Sequence, residues 1–259
     1  MNGFIIGLAV PLLGTILGAA CVYALKDTIP PLAKKLFMGF TAGVMIAAAV
    51  WSLIIPSMEM TGGSGFRHVM PTTVGFILGV AFLLLMDRLT PHRHGYDNSD
   101  EGPRSSLSRT WKLVLAIILH NIPEGMAIGV AFAAVFENSA WLSPAGALAL
   151  SIGIAIQNFP EGAIVSIPLK DAGNSSHRSF AIGVASGIVQ PVAAIITVLL
   201  ASAAVPIMPY LLAFAAGAML YVVVEELIPA SAEGPHSNHG PLGFALGFIL
   251  MIVLDALLN

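Results

Sequence analysis

The chain has 259 residues, 57% hydrophobic and only 10% charged, where a soluble domain carries about a quarter charged residues. With a mean hydropathy of +0.88, the solvent for most of the chain is lipid, where backbone groups must be bonded internally by helices or a closed barrel. The apolar runs are long and continuous rather than alternating, which selects helices, and a net charge of −3 with no basic tract excludes a nucleic-acid partner.

A helix needs about 20 residues to cross the hydrocarbon core. Residues 2–25 hold no charge before Lys26 and form the first span. Without a basic n-region or a small-residue cleavage site, it reads as a retained helix. Cys21, the single cysteine, lies within it and has no intrachain partner. Residues 36–58 and 69–90 are the second and third spans, and 91–110 is a polar cytoplasmic loop. The fourth span is 111–136, and the fifth, 141–168, is interrupted by Glu161. Residues 179–224 carry no charge but are too long for one helix, and Ala204-Val205-Pro206-Ile207-Met208-Pro209 divides them. The sixth and seventh spans are therefore 179–203 and 207–229, and the eighth is 241–258. The whole of 1–259 reads as a single all-α transmembrane domain.

Ten of the eleven Lys and Arg residues then fall on one side of the membrane, with Arg67 the exception. The positive-inside rule makes that side cytoplasmic and places both termini outside.

The sequence also repeats itself. Gly75-Phe76-Ile77-Leu78-Gly79 leads to Asp87, and Gly243-Phe244-Ala245-Leu246-Gly247 leads to Asp255 at the same spacing. Span 2 reads Phe40-Thr41-Ala42-Gly43-Val44-Met45 and ends near Pro56; span 7 reads Phe214-Ala215-Ala216-Gly217-Ala218-Met219 and ends near Pro229. Gly7 and Pro11 match Gly187 and Pro191 more weakly. Spans 1–3 thus resemble spans 6–8 with opposite orientation, an inverted repeat of the kind transporters use around a central site. Similar strings also arise from small-residue helix packing alone.

Spans 4 and 5 stand outside this repeat and hold the chemistry. One contains His120-Asn121-Ile122-Pro123-Glu124-Gly125 and the other Gln157-Asn158-Phe159-Pro160-Glu161-Gly162. His120 shares a helix face with Glu124, as Gln157 does with Glu161. Asn121 and Asn158 lie about 100° round from them. Each proline is expected to kink its helix and free a carbonyl oxygen, and each glycine admits close approach. Two facing intramembrane carboxylates with no Lys or Arg at matching depth need a partner. A divalent cation neutralises them, and imidazole with carboxylate and amide oxygens suits zinc, iron or manganese. The alternative is a proton-sharing cluster that packs the helices.

On these paired H-N-x-P-E-G and Q-N-x-P-E-G motifs, nearly the whole chain resembles the ZIP (Zrt/Irt-like) family of metal transporters, in its prokaryotic GufA-like branch. The resemblance implies eight transmembrane helices in a 3+2+3 organisation, a homodimer in an inner (plasma) membrane, and movement of metal into the cytoplasm. It implies zinc as the cargo, with iron, manganese or cadmium as further candidates. It also implies a binuclear site: His120, Glu124, Gln157 and Glu161 with Met45 nearby at one position, and Asn121, Asn158, the shared glutamates and Gln190 at the other. Gln190 stands where relatives commonly have glutamate, and Asn158 where some have aspartate. Glu124 and Glu161 together carry −2, enough to neutralise one divalent ion, so the second position is expected to bind weakly or to serve only as a stepping point.

Further residues lie along a possible path. Glu59 and Ser52 lie toward the outer end of span 2; Glu59 either attracts cations or is simply solvated. Asp87, His92 and His94 follow span 3, and Glu225, Glu226, His236 and His239 follow span 7. The loop histidines either catch departing metal or are solvated. Glu225 and Glu226 are stronger candidates, because adjacent acids in an apolar helix are costly. Relatives often place a metal-binding His-Glu pair near there, where this chain has Glu-Glu. Two other classes remain open at this point. An intramembrane zinc hydrolase would need an open coordination position and a general base, and the chain lacks H-E-x-x-H and G-x-S-x-G motifs. A carrier of another solute would use the glutamates as proton relays.

Overall fold

The computed structural model describes residues 2–24, 29–91, 102–137, 142–203 and 205–258. Eight helices among them are long and apolar enough to cross a membrane. They are α1 (Asn2–Ala24), α2 (Pro31–Thr61), α3 (Phe66–Leu89), α4 (Arg109–Phe136), α5 (Pro144–Asp171), α6 (Ser176–Ala203), α7 (Met208–Ala232) and α8 (His239–Leu258). The described residues contain no strand. Leu199, Val224 and Leu257 are among the large apolar side chains that face outward, as a lipid solvent requires.

Several helices extend beyond their apolar runs. α2 opens at Pro31, five residues before the expected start, because Pro at a first helical position has the required φ and no needed N–H. Its two lysines therefore sit in the first turns. The Lys34 ammonium pairs with Glu233 at 3.0 Å, and the buried Lys35 donates to the Pro235 carbonyl at 2.6 Å. α5 opens at Pro144 after Ser143, whose Oγ accepts from the Gly146 N–H at 2.9 Å. α4 and α5 continue through Pro123 and Pro160 as unbroken helices.

The inverted repeat is visible as packing. α2 lies against α8, and α7 lies against α3. A Cβ at Gly43 would strike the Phe244 carbonyl oxygen, and one at Gly217 would strike that of Phe76. Gly75 meets the Tyr210 carbonyl as Gly243 meets that of Leu36, and Gly79 meets Phe214 as Gly247 meets Phe40. These are the same three contacts, made twice in the register of the sequence repeat. α1 likewise packs on α5, and α6 on α4. The inverted relation therefore extends to α4 and α5, which the sequence alone left outside it.

Both α2 and α7 contain a π-helical turn, Ala49–Ile54 in the first and Val223–Leu227 in the second. Each ends two residues before a proline, Pro56 in α2 and Pro229 in α7. A proline ring crowds the carbonyl four residues back, and a widened turn gives it room without ending the helix. The turn is six residues long in α2 and five in α7, which absorbs the one-residue difference in the Gly-to-Pro spacing of the two copies. Beyond the α2 turn, the buried Ser57 Oγ lies 2.7 Å from Thr72 Oγ1 and donates to the Pro209 carbonyl at 2.8 Å, tying α2 to α3 and α7.

Candidate metal site

The two paired motifs meet in the middle of the bundle. His120, Asn121 and Glu124 project from α4, Gln157 and Asn158 from α5, and Gln190 from α6, and all six are buried. Glu161 of α5 is partly buried. The central carboxylate is Glu124. Gln157 Nε2 donates to its Oε1 at 2.6 Å, and Gln190 Nε2 donates to its Oε2. Two amides therefore meet this buried acid, where an ammonium or guanidinium would be the usual partner.

The asparagines tie the cluster to the neighbouring backbones. Asn121 Nδ2 donates to the Ser186 carbonyl of α6 at 2.9 Å, and Asn158 Nδ2 donates to the Pro11 carbonyl of α1 at 3.1 Å. Asn158 Nδ2 also donates to Gln190 Oε1 at 2.7 Å. The π turn of α7 also reaches the site. It carries the buried Glu226, whose Oε2 lies 2.8 Å from His120 Nδ1. Glu161 and Asp87 lie within electrostatic reach of the same imidazole.

His120 Nε2 and Gln157 Oε1 are buried and have no hydrogen-bond partner among the described residues. Such atoms are rare in folded proteins and each calls for a physical reason. Both are lone-pair donors, and both come from the face that also carries Glu124 and Glu161. With Glu226 holding Nδ1, the Nε2 lone pair is the one left to bind a metal, the usual arrangement of a ligating histidine and its carboxylate. Among the described residues no three His, Cys, Asp or Glu side chains converge on one metal-sized position. The donor set is mixed: four of the seven side chains are amides, those of Asn121, Gln157, Asn158 and Gln190.

The remaining sequence candidates divide. Met45 is fully buried in the apolar core of α2. Ser52 is buried within the α2 π turn, with no hydrogen-bond partner for its Oγ. Asp87 is buried near the end of α3. Glu225 is partly buried, and Glu59, His236 and His239 are exposed. His239 Nδ1 lies 2.8 Å from Ser237 Oγ. His92 and His94 lie outside the described residues. Glu226, read in the sequence as a residue on the transport path, lies against His120. The signal available in the sequence was the adjacent acid pair inside an apolar helix. The π turn that aims one of the pair inward was not visible there.

Residues 89–255 match the family model described as ZIP Zinc transporter. The chain is 36% identical to the zinc transporter ZIP11 of Homo sapiens, over 84% of this chain and 86% of that protein. It is 36% identical to the zinc transporter ZIPB of Bordetella bronchiseptica, over 98% of this chain and 81% of that protein. To the zinc transporter GufA of Myxococcus xanthus it is 35% identical, over 84% of each. Together with the eight-helix architecture and the paired motifs on α4 and α5, these matches establish that the chain belongs to the ZIP family of metal transporters.

Proposed function

We propose that this protein carries zinc across the membrane into the cytoplasm through one position bounded by His120 Nε2, Gln157 Oε1 and the carboxylates of Glu124 and Glu161. The observation that carries the reading is the pair of buried lone-pair donors without a hydrogen-bond partner among the described residues, His120 Nε2 and Gln157 Oε1, beside a Glu124 carboxylate that is met by two amides. Zinc accepts nitrogen and oxygen ligands in such a mixed set. Its relatives' names support zinc over the iron, manganese and cadmium that the same donors also accept. Transport rather than hydrolysis follows from those names and from the inverted repeat.

The arrangement suggests a route. Metal arrives past Glu59 and Ser52, exchanges water for the α4 and α5 ligands, and leaves by way of Glu226 and Asp87. The asymmetry of Lys and Arg supports a cytoplasmic position for the loops that carry them, with both termini outside. A homodimer in the inner membrane is the working unit that the family resemblance implies.

The test is zinc uptake into proteoliposomes, with wild type beside Glu161→Ala. Wild-type uptake that the variant abolishes supports the reading. Tight zinc binding without uptake in a folded wild-type protein overturns it in favour of a metalloenzyme. A further expectation concerns pH. Ligation requires a neutral imidazole and ionised carboxylates, so protons compete with zinc and uptake falls as pH is lowered. Histidine is the side chain that changes charge in the range of about pH 5 to 8, and the decline is expected between about pH 7 and 5. A flat profile across that interval would count against His120 as a ligand.

A further inference from the structure

Three oxygens converge on the side-chain nitrogen of Gln190. Nε2 donates to Glu124 Oε2, and it also faces Asn121 Oδ1 at 3.2 Å and Asn158 Oδ1 at 3.3 Å. The backbone fixes this orientation. The Ser186 and Pro11 carbonyls can only accept, so the nitrogens of Asn121 and Asn158 point at them and the oxygens of both residues turn inward. Gln190 Oε1 is engaged by Asn158 Nδ2 at 2.7 Å, which leaves Nε2 as the end that meets the carboxylate. An amide nitrogen has two hydrogens to offer, here shared among three acceptors. The surroundings are those of a small oxygen cradle, with an NH2 group held at its centre.

We propose that Gln190 is a positioning residue whose amide fills this cradle, holding Glu124 in place and limiting the protein to one divalent ion at a time. The inference rests on the zinc-transport reading above. A second ion would have to displace the Gln190 NH2. It would then find two neutral amide oxygens and a single carboxylate already shared with the first ion. A carboxylate at position 190 or 158 would replace a hydrogen donor with an acceptor and add the missing negative charge.

The test counts zinc. Full-length protein is purified in detergent, stripped of metal and dialysed to equilibrium against zinc, and bound zinc per chain is measured. One equivalent is expected for wild type and two for Gln190→Glu. Asn158→Asp alters the opposite side of the same cradle and is also expected to bind two, so it decides the matter if the first variant does not fold. A residue that only packed helices would alter thermal stability and leave the count at one. Two equivalents in wild type, or one equivalent in both carboxylate variants as folded, monodisperse proteins, would overturn the proposal. No zinc on wild type would instead remove the transport reading on which it rests.

Discussion

A Glu124→Gln protein is expected to fold and to lose nearly all zinc uptake. In the native site both carboxylate oxygens accept from amides, Gln157 on one side and Gln190 on the other. A glutamine at 124 presents one oxygen and one NH2, so one of those amides would face another donor. Leaving a buried donor unsatisfied costs about 1–3 kcal/mol. Removing a buried charge works in the opposite direction, and the net change in thermal stability should be small. Transport does not share that compensation. Truncating one partner of a buried, hydrogen-bonded charge pair typically costs about 2–5 kcal/mol. At about 1.4 kcal/mol per factor of ten, that is a loss of roughly 30- to 4,000-fold. Initial uptake rates at several zinc concentrations, beside a melting curve in detergent, would check both halves of the expectation. Normal uptake by a folded Glu124→Gln protein would remove Glu124 from the metal path.

The second large effect concerns the fold. Valine at Gly43 and valine at Gly217 should each be severely destabilising, and by similar amounts. In both cases the added Cβ falls on a carbonyl oxygen of the facing helix, that of Phe244 or that of Phe76. Side chains can rotate away from such a clash, but a helix backbone can only move as a whole. Overpacking ordinarily costs about 1–3 kcal/mol, and these two sites should lie at or above the upper end. Gly3→Ala is the control. Its Cβ would meet only the edge of Phe132 at 3.9 Å, an ordinary contact, and a shift within about 0.5 kcal/mol is expected. Thermal unfolding of the three variants in detergent makes the comparison. A large difference between the Gly43 and Gly217 variants would show that the two halves do not share one packing solution.

Much of this architecture was legible in the sequence because lipid simplifies the code. Long uncharged runs marked the eight spans, and the Gly-Phe-x-Leu-Gly strings of spans 3 and 8 marked the contacts that the structure makes twice. The polar motifs on α4 and α5 stood out for the same reason, since Asn, Gln, His and Glu are expensive there. What escaped was geometry that depends on backbone irregularity. Pro56 and Pro229 read as helix ends, whereas each is accommodated by a π turn and the helix goes on. That turn aims Glu226 at His120, a contact the sequence did not reveal. The start of α2 was lost because Lys34 and Lys35 looked like loop residues, although they lie in its first turns and their ammonium groups reach Glu233 and Pro235. The partners of the amides were also out of reach. A sequence shows that Asn121, Asn158 and Gln190 are polar, but the carbonyls that orient them belong to other helices.

The pairing of α2 with α8 has a consequence for how the chain is made. Gly43 waits for Phe244, which lies 201 residues further along. At a synthesis rate of about 5–20 residues per second, α2 spends roughly 10–40 seconds in the bilayer before its partner emerges from the ribosome. α3 must likewise wait for α7. During that interval the face that α8 will cover is open to lipid and to neighbouring nascent chains. Assembly of the transporter is therefore a race between the tail of one chain and the head of another.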